Sequence, residues 1–175
     1  GFSPRASREV LPGFTECVAG QDVPWLSMTP TTLTVAPGTT VQVTVTLDAS
    51  NIEIVPQPGA YAAKITFTTD TPYTVAPVDV TMNATPPKTW GKIMGTVTGA
   101  SCAGVVPLPG ATVQIDTWAA HYTLITDASG GYALWLDKRN NPLQLIVAKD
   151  GWQPQTKKVK ITQGLTTVQD WRLLP

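Results

Sequence analysis

A hydrolase needs a nucleophile and a base held by an orienting group, or a metal with its ligands. This chain has a single histidine, His121, in the run Trp118-Ala119-Ala120-His121-Tyr122. It contains no His-Glu-x-x-His helix, no Gly-x-Ser-x-Gly elbow, no Cys-x-x-Cys pair and no glycine-rich phosphate loop. A lone histidine beside a strand reads as a structural or surface residue, so no enzyme, no metal centre and no cofactor is expected. Among the acids, Asp127 stands in a motif, Thr126-Asp127-Ala128-Ser129-Gly130-Gly131. Its carboxylate suits the cap of a tight turn, whereas calcium would need several convergent oxygens that the sequence does not supply. Asp48, Asp70 and Asp150 sit at strand ends, where aspartate is good turn chemistry.

Sulfur chemistry is confined to Cys17 and Cys102. In an exported protein the arithmetic is one disulfide, which would pin the leading segment to the second half of the chain; two free buried thiols are the other reading. Contact chemistry is more visible. Of the six tryptophans, Trp25, Trp90, Trp152 and Trp171 fall where core packing would use them. Trp118 follows a strand end, and Trp135 points outward because Tyr132, Leu134 and Leu136 alternate inward. Both mark an interaction surface, with protein contact favoured over carbohydrate stacking because no polar clamps are evident beside them. Val10, Leu11 and Phe14 are the apolar groups with which the leading segment would engage a surface. Asn83-Ala84-Thr85 matches a glycosylation sequon, a short motif of little weight, and Lys157, Lys158 and Lys160 read as a solvated strand face.

The elements that must carry these residues are strands. Sixteen prolines and 14 glycines suppress helix, and alternation of apolar with polar residues recurs throughout. Residues 1–23 have no period and read as an extended arm. Residues 24–84 read as a β-sandwich, with strands over 25–28, 31–35, 41–47, 61–67 and 75–82. The cleanest half-buried strand is the one that alternates Val41, Val43, Val45 and Leu47. Residues 85–89, with Pro86 and Pro87, form a stiff connector. Residues 90–175 read as a second, seven-stranded sandwich over 92–98, 111–117, 122–126, 132–136, 143–148, 155–161 and 166–173. The fold class is therefore all-β: two tandem sandwiches behind an arm.

The spacing PLPGATVQI, TDASGGYAL, LIVAKDGWQP and ITQGLTTVQDWRL resembles the carboxypeptidase regulatory-like domain, a small transthyretin-like sandwich, over about 90–174. Against that pattern the loop 99–109, with Cys102, looks inserted. The run over 24–84, from PWLSMTPTTLTVAPGTTVQVTVTLDAS to VDVTM, resembles the immunoglobulin- or fibronectin-like repeats of bacterial surface proteins and secreted subtilisin-like peptidases. These resemblances imply an accessory context with chemistry elsewhere.

Twelve basic residues balance twelve acidic ones, and no basic stripe is interleaved with aromatics, so nucleic acid is not an expected partner. No apolar run is long enough for a membrane helix, and residues 1–8 lack the apolar core of a signal peptide, so a mature or excised piece is expected. Low charge content and abundant threonine suggest a secreted or cell-surface protein of bacterial type. Two non-catalytic functions follow. The preferred one is a structural protein that associates with copies of itself, up to filaments, through the arm and the exposed aromatics. The alternative is an accessory module that binds cell wall, polysaccharide, a protein substrate or a parent peptidase.

Overall fold

The computed structural model describes residues 3–8, 22–102 and 104–175, and these are nearly all β. The chain divides into two compact units, Gly1–Thr85 and Pro86–Pro175. No helix among the described residues is long and apolar enough to cross a membrane.

The first unit contains β1 (Ser3–Arg8), β2 (Leu26–Thr29), β3 (Thr44–Leu47), β4 (Gly59–Thr68) and β5 (Val78–Ala84). They form a three-stranded sheet in the order β1-β4-β5 and a two-stranded ribbon, β2-β3. Strand β4 forms because its odd residues are apolar. Tyr61, Ala63 and Ile65 are buried, with Trp25, with Leu26 of β2 and with Met82 of β5, in one core. The rings of Trp25 and Tyr61 meet edge to face, 6.3 Å between centroids, a geometry that suits the aromatic quadrupoles.

Residues 1–23 read from sequence as an extended arm and not a core element, and within them Ser3–Arg8 joins the sheet as an antiparallel edge strand, from Ser3 opposite Thr68 to Arg8 opposite Ala63. An edge strand needs only a main-chain ladder, so the sequence Ser-Pro-Arg-Ala-Ser-Arg carries no hydrophobic period to reveal it; Pro4 is tolerated at an edge. Two expectations for this unit, over 31–35 and 41–47, are corrected. The stretch 31–35 forms no strand, since Pro30 and Pro37 close in on it. The alternating segment 41–47 is paired only over Thr44–Leu47, and all four of those residues are exposed. Alternation makes a segment amphipathic, but burial requires a facing layer. The described residues form only the two-stranded ribbon here, and Val41, Val45 and Leu47 remain 42–43% exposed.

The second unit contains β6 (Trp90–Ser101), β7 (Gly104–Pro107), β8 (Thr112–Asp116), β9 (His121–Ile125), β10 (Gly131–Asp137), a 3-10 turn (Lys138–Asn140), β11 (Leu143–Lys149), β12 (Trp152–Val159), β13 (Thr166–Val168) and β14 (Trp171–Leu173). One sheet runs β10-β6-β13, with β7 and β14 also on β6; the other runs β12-β11-β8-β9. Alternation buries Ile93 and Val97 of β6, Val113 and Ile115 of β8, Leu134 and Leu136 of β10, and Leu143, Leu145 and Val147 of β11 between the sheets. Thr126 is buried and satisfied: its hydroxyl donates to the Leu108 carbonyl (2.6 Å) and accepts from Ala111 N–H (2.8 Å).

Two features differ from the seven strands expected. The apparent insertion over 99–109 is a hairpin, with β6 continuing to Ser101 and β7 returning antiparallel from Gly104. The last strand is interrupted at Gln169-Asp170, so that β13 and β14 pair in parallel with successive parts of β6. The Asp170 carboxylate bridges the gap, accepting from Thr96 N–H at 2.8 Å and from the Thr96 hydroxyl at 3.0 Å. Residues of the expected connector are tied into this unit: the Thr89 carbonyl accepts from Lys138 N–H, and the Thr89 hydroxyl donates to Asp137.

Candidate functional site

The end of the β8–β9 hairpin gathers more exposed polar and aromatic function than any single sequence motif suggested. Thr117 shapes its tip. The Thr117 Oγ1 accepts from Ala119 N–H (3.1 Å) and Ala120 N–H (2.9 Å), and its hydroxyl donates to the Ala120 carbonyl. This compact loop projects Trp118, whose side chain is held although the residue is 77% exposed. Its indole Nε1–H donates to the carbonyl of Arg139 at 2.7 Å, linking the hairpin to the 3-10 turn after β10.

Two polar pairs belong to the elements that this bond joins. At the base of the loop the Asp116 carboxylate accepts both contacts of the Gln114 amide (2.9 and 3.0 Å) and lies 2.9 Å from His121 Nδ1. The Gln114 hydrogen bond, then that of His121, holds the Asp116 carboxyl below its ordinary pKa. On the other side Asp137 caps the 3-10 turn, accepting Arg139 N–H at 2.9 Å and the Arg139 guanidinium at 2.7 and 3.1 Å. Arg139 keeps the Asp137 carboxyl well below the usual carboxylate range, and its own pKa is raised in return. The cluster thus consists of an indole oriented by the Arg139 carbonyl, an Asp137–Arg139 ion pair and an Asp116–His121 hydrogen bond. It has no nucleophile–base–orienter chain, and among the described residues no group of three or more His, Cys, Asp or Glu side chains could hold a metal.

The other residues singled out by sequence lie elsewhere. Trp135 is half-buried on the outer face of β10, with the Lys92 ammonium 6.0 Å from its ring centroid. In the rows beside it, Ala133 of β10 lies opposite Met94 of β6, which in turn lies opposite Val168 of β13, and all three are exposed. Cys102 is exposed in the turn between β6 and β7. Its expected partner Cys17, together with Val10, Leu11 and Phe14, lies outside the described residues. Asp127 forms the turn cap: its Oδ1 accepts from Ser129 N–H, Ser129 Oγ–H and Gly131 N–H at 2.7–2.9 Å, which lowers its pKa.

Sequence reading missed the Arg139 carbonyl as the partner of Trp118, and with it the pairing of Asp137 with Arg139 and of Asp116 with Gln114 and His121. The pairing of Asp116 with His121 was recoverable, because a short loop between two strand ends sets them opposite one another. The approach of Arg139 was not. Its carbonyl reaches Trp118 only because β9 and β10 are packed as the facing margins of two sheets.

No protein-family model matches the chain and no curated protein matches it. Among solved structures the chain is similar to a catechol 1,2-dioxygenase from Pseudomonas arvilla C-1 (16% identity, TM-score 0.37, covering 51% of this chain and 53% of that one). It is also similar to GBS52, a minor pilin of Streptococcus agalactiae (12%, 0.41, 65% and 60%), and to the Bacillus anthracis TIE protein (13%, 0.43, 99% and 34%). In each case the chain spans less than two-thirds of the matched protein, and likeness this remote carries no argument about activity.

Proposed function

We propose that this chain is a non-catalytic structural and interaction subunit, located outside a bacterial cell, that associates with copies of itself through its N-terminal strand. The observation that carries the reading is the antiparallel pairing of Ser3–Arg8 along the edge of β4. A strand added at a sheet edge is held by main-chain hydrogen bonds, and an identical edge on a second copy offers the same ladder. Residues 9–21 separate this strand from the rest of its unit. Exchange between copies therefore needs no new surface, only a different route for the connection. If the exchange does not close on itself it propagates, which is how a heterologous contact builds a filament. The exposed Val41, Val45 and Leu47 near β3 add apolar area that association would cover. The low charge content and abundant threonine support the extracellular location.

The test compares the full chain with a variant lacking residues 1–8, by light scattering over a concentration series and by electron microscopy. Oligomers or filaments are expected from the full chain and monomers from the truncated one. An assembly state that is the same with and without residues 1–8 would sink the proposal.

A further inference from the structure

The Trp118 corner is built in a way that neither self-association nor packing of the second unit requires. An exposed indole on a loop is ordinarily unconstrained. Here Nε1–H is committed to the Arg139 carbonyl at 2.7 Å, so the polar edge of the ring is satisfied within the protein. What the residue offers to solvent is its hydrocarbon π-face, in one orientation, at 77% exposure. A flat, immobilised aromatic face is complementary to a flat array of C–H bonds.

The polar groups around it narrow the choice of ligand. Arg139 and His121 expose 78% and 77% of their side chains, yet each is matched by a carboxylate, Asp137 at 2.7 Å and Asp116 at 2.9 Å. Neither Arg139 nor His121 is thus left free to receive an anionic group. A phosphate or uronate would have to compete with the carboxylates already seated there, whereas hydroxyl groups can share both the cations and the anions. A pyranose with all-equatorial substituents has flat C–H faces and a rim of hydroxyls. When such units are β-linked, the chain keeps those faces accessible along its length. A projecting hairpin end suits a polymer that continues in both directions.

We infer that Trp118, with Arg139 and His121 of the same corner, is a binding platform for neutral β-linked gluco-configured oligosaccharides. The indole stacks on one sugar ring, and the Arg139–Asp137 and His121–Asp116 pairs hydrogen-bond its hydroxyls. The site lies in the second unit and is independent of the N-terminal strand.

The experiment uses the full chain with cellohexaose and chitohexaose as probes and a galacturonate hexamer as the charged comparison. Binding is read by calorimetry and by the NMR signal of the Trp118 indole N–H. A neutral hexaose is expected to shift that signal. Trp118→Ala should weaken binding by about tenfold or more, while Trp118→Tyr, which keeps a flat ring, should retain most of it. Arg139→Ala should also weaken binding, and Trp135→Ala and removal of residues 1–8 should leave it unchanged. The inference is overturned if neither neutral hexaose shifts the Trp118 signal at millimolar concentration. It is equally overturned if Trp118→Ala binds like the parent chain, or if the galacturonate hexamer binds as tightly as the neutral ones. Because the truncation does not touch this site, loss of self-association and loss of sugar binding are separately visible.

Discussion

At the scale of single residues, Tyr132 shows how a buried polar group is made safe and how it becomes sensitive to pH. The residue is 6% exposed; its hydroxyl donates to the Gln169 carbonyl (2.5 Å) and accepts from Trp171 Nε1–H (3.0 Å). Burial pushes the phenol up to about 12 from its ordinary 10. Below pH 10 folded and unfolded chains both keep this proton, so stability does not depend on it. Between pH 10 and 12 the unfolded chain releases the proton while the folded one retains it, and stability falls by about 1.4 kcal/mol per pH unit at most. Thermal unfolding of the second unit should therefore be flat with respect to this group below pH 10 and drop across that window. Tyr132→Phe should lower stability at neutral pH by about 1–3 kcal/mol, since it leaves the Trp171 N–H and the Gln169 carbonyl without their partner. It should also flatten the alkaline decline, and a melting series from pH 7 to 12 checks both effects.

At the scale of elements, β6 is the strand on which the second unit depends, because it pairs with β7, β10, β13 and β14. Its inward positions alternate Gly91, Ile93, Gly95, Val97 and Gly99, all buried. A Cβ at Gly95 would overlap the Gln169 carbonyl oxygen, and one at Gly99 would overlap the Trp152 ring. These glycines let the interrupted final strand and the β12 tryptophan lie directly on the β6 backbone. Gly95→Ala is expected to destabilise the unit by about 2 kcal/mol or more. The loss should appear in chemical denaturation, with faster hydrogen exchange at the amides of β13 and β14; an unchanged midpoint would show that the Gln169 segment can move aside at little cost. The contrast with β3 is instructive. That strand has the better alternation in sequence and the poorer burial in the fold, since among the described residues it has a paired neighbour on one side but no layer over its apolar residues.

At the scale of the whole molecule, each unit has its own core, one around Trp25, Tyr61 and Ile65, the other around Ile93, Ile115 and Leu145. Separate cores predict separate unfolding. Residues 86–175 expressed alone should fold, with the dispersed amide spectrum of a β-sandwich. Ile115→Ala in the full chain should cost about 2–5 kcal/mol and shift only the transition that belongs to the second unit. Calorimetry of the full chain and of the isolated second unit checks this, and a single transition shifted as a whole by Ile115→Ala would contradict it.

By itself the sequence determined the all-β class, the inward residues of β4, β8 and β10, and the turn chemistry of Asp127. Each of these rests on local causes: side-chain alternation, the scarcity of helix-forming stretches and the reach of a carboxylate to nearby amides. Tertiary structure decided the rest. Ser3–Arg8 pairs with β4 through backbone groups that every residue type carries, so its side chains could not announce it. The segment 41–47 shows the opposite failure, for its alternation is plain while burial depends on a layer that the strand does not itself supply. The Trp118 corner belongs to both levels. The indole, the histidine and the aspartate are visible on one hairpin, but Arg139 reaches the indole only through the packing of two sheets, and it is that contact that turns an exposed tryptophan into an oriented one.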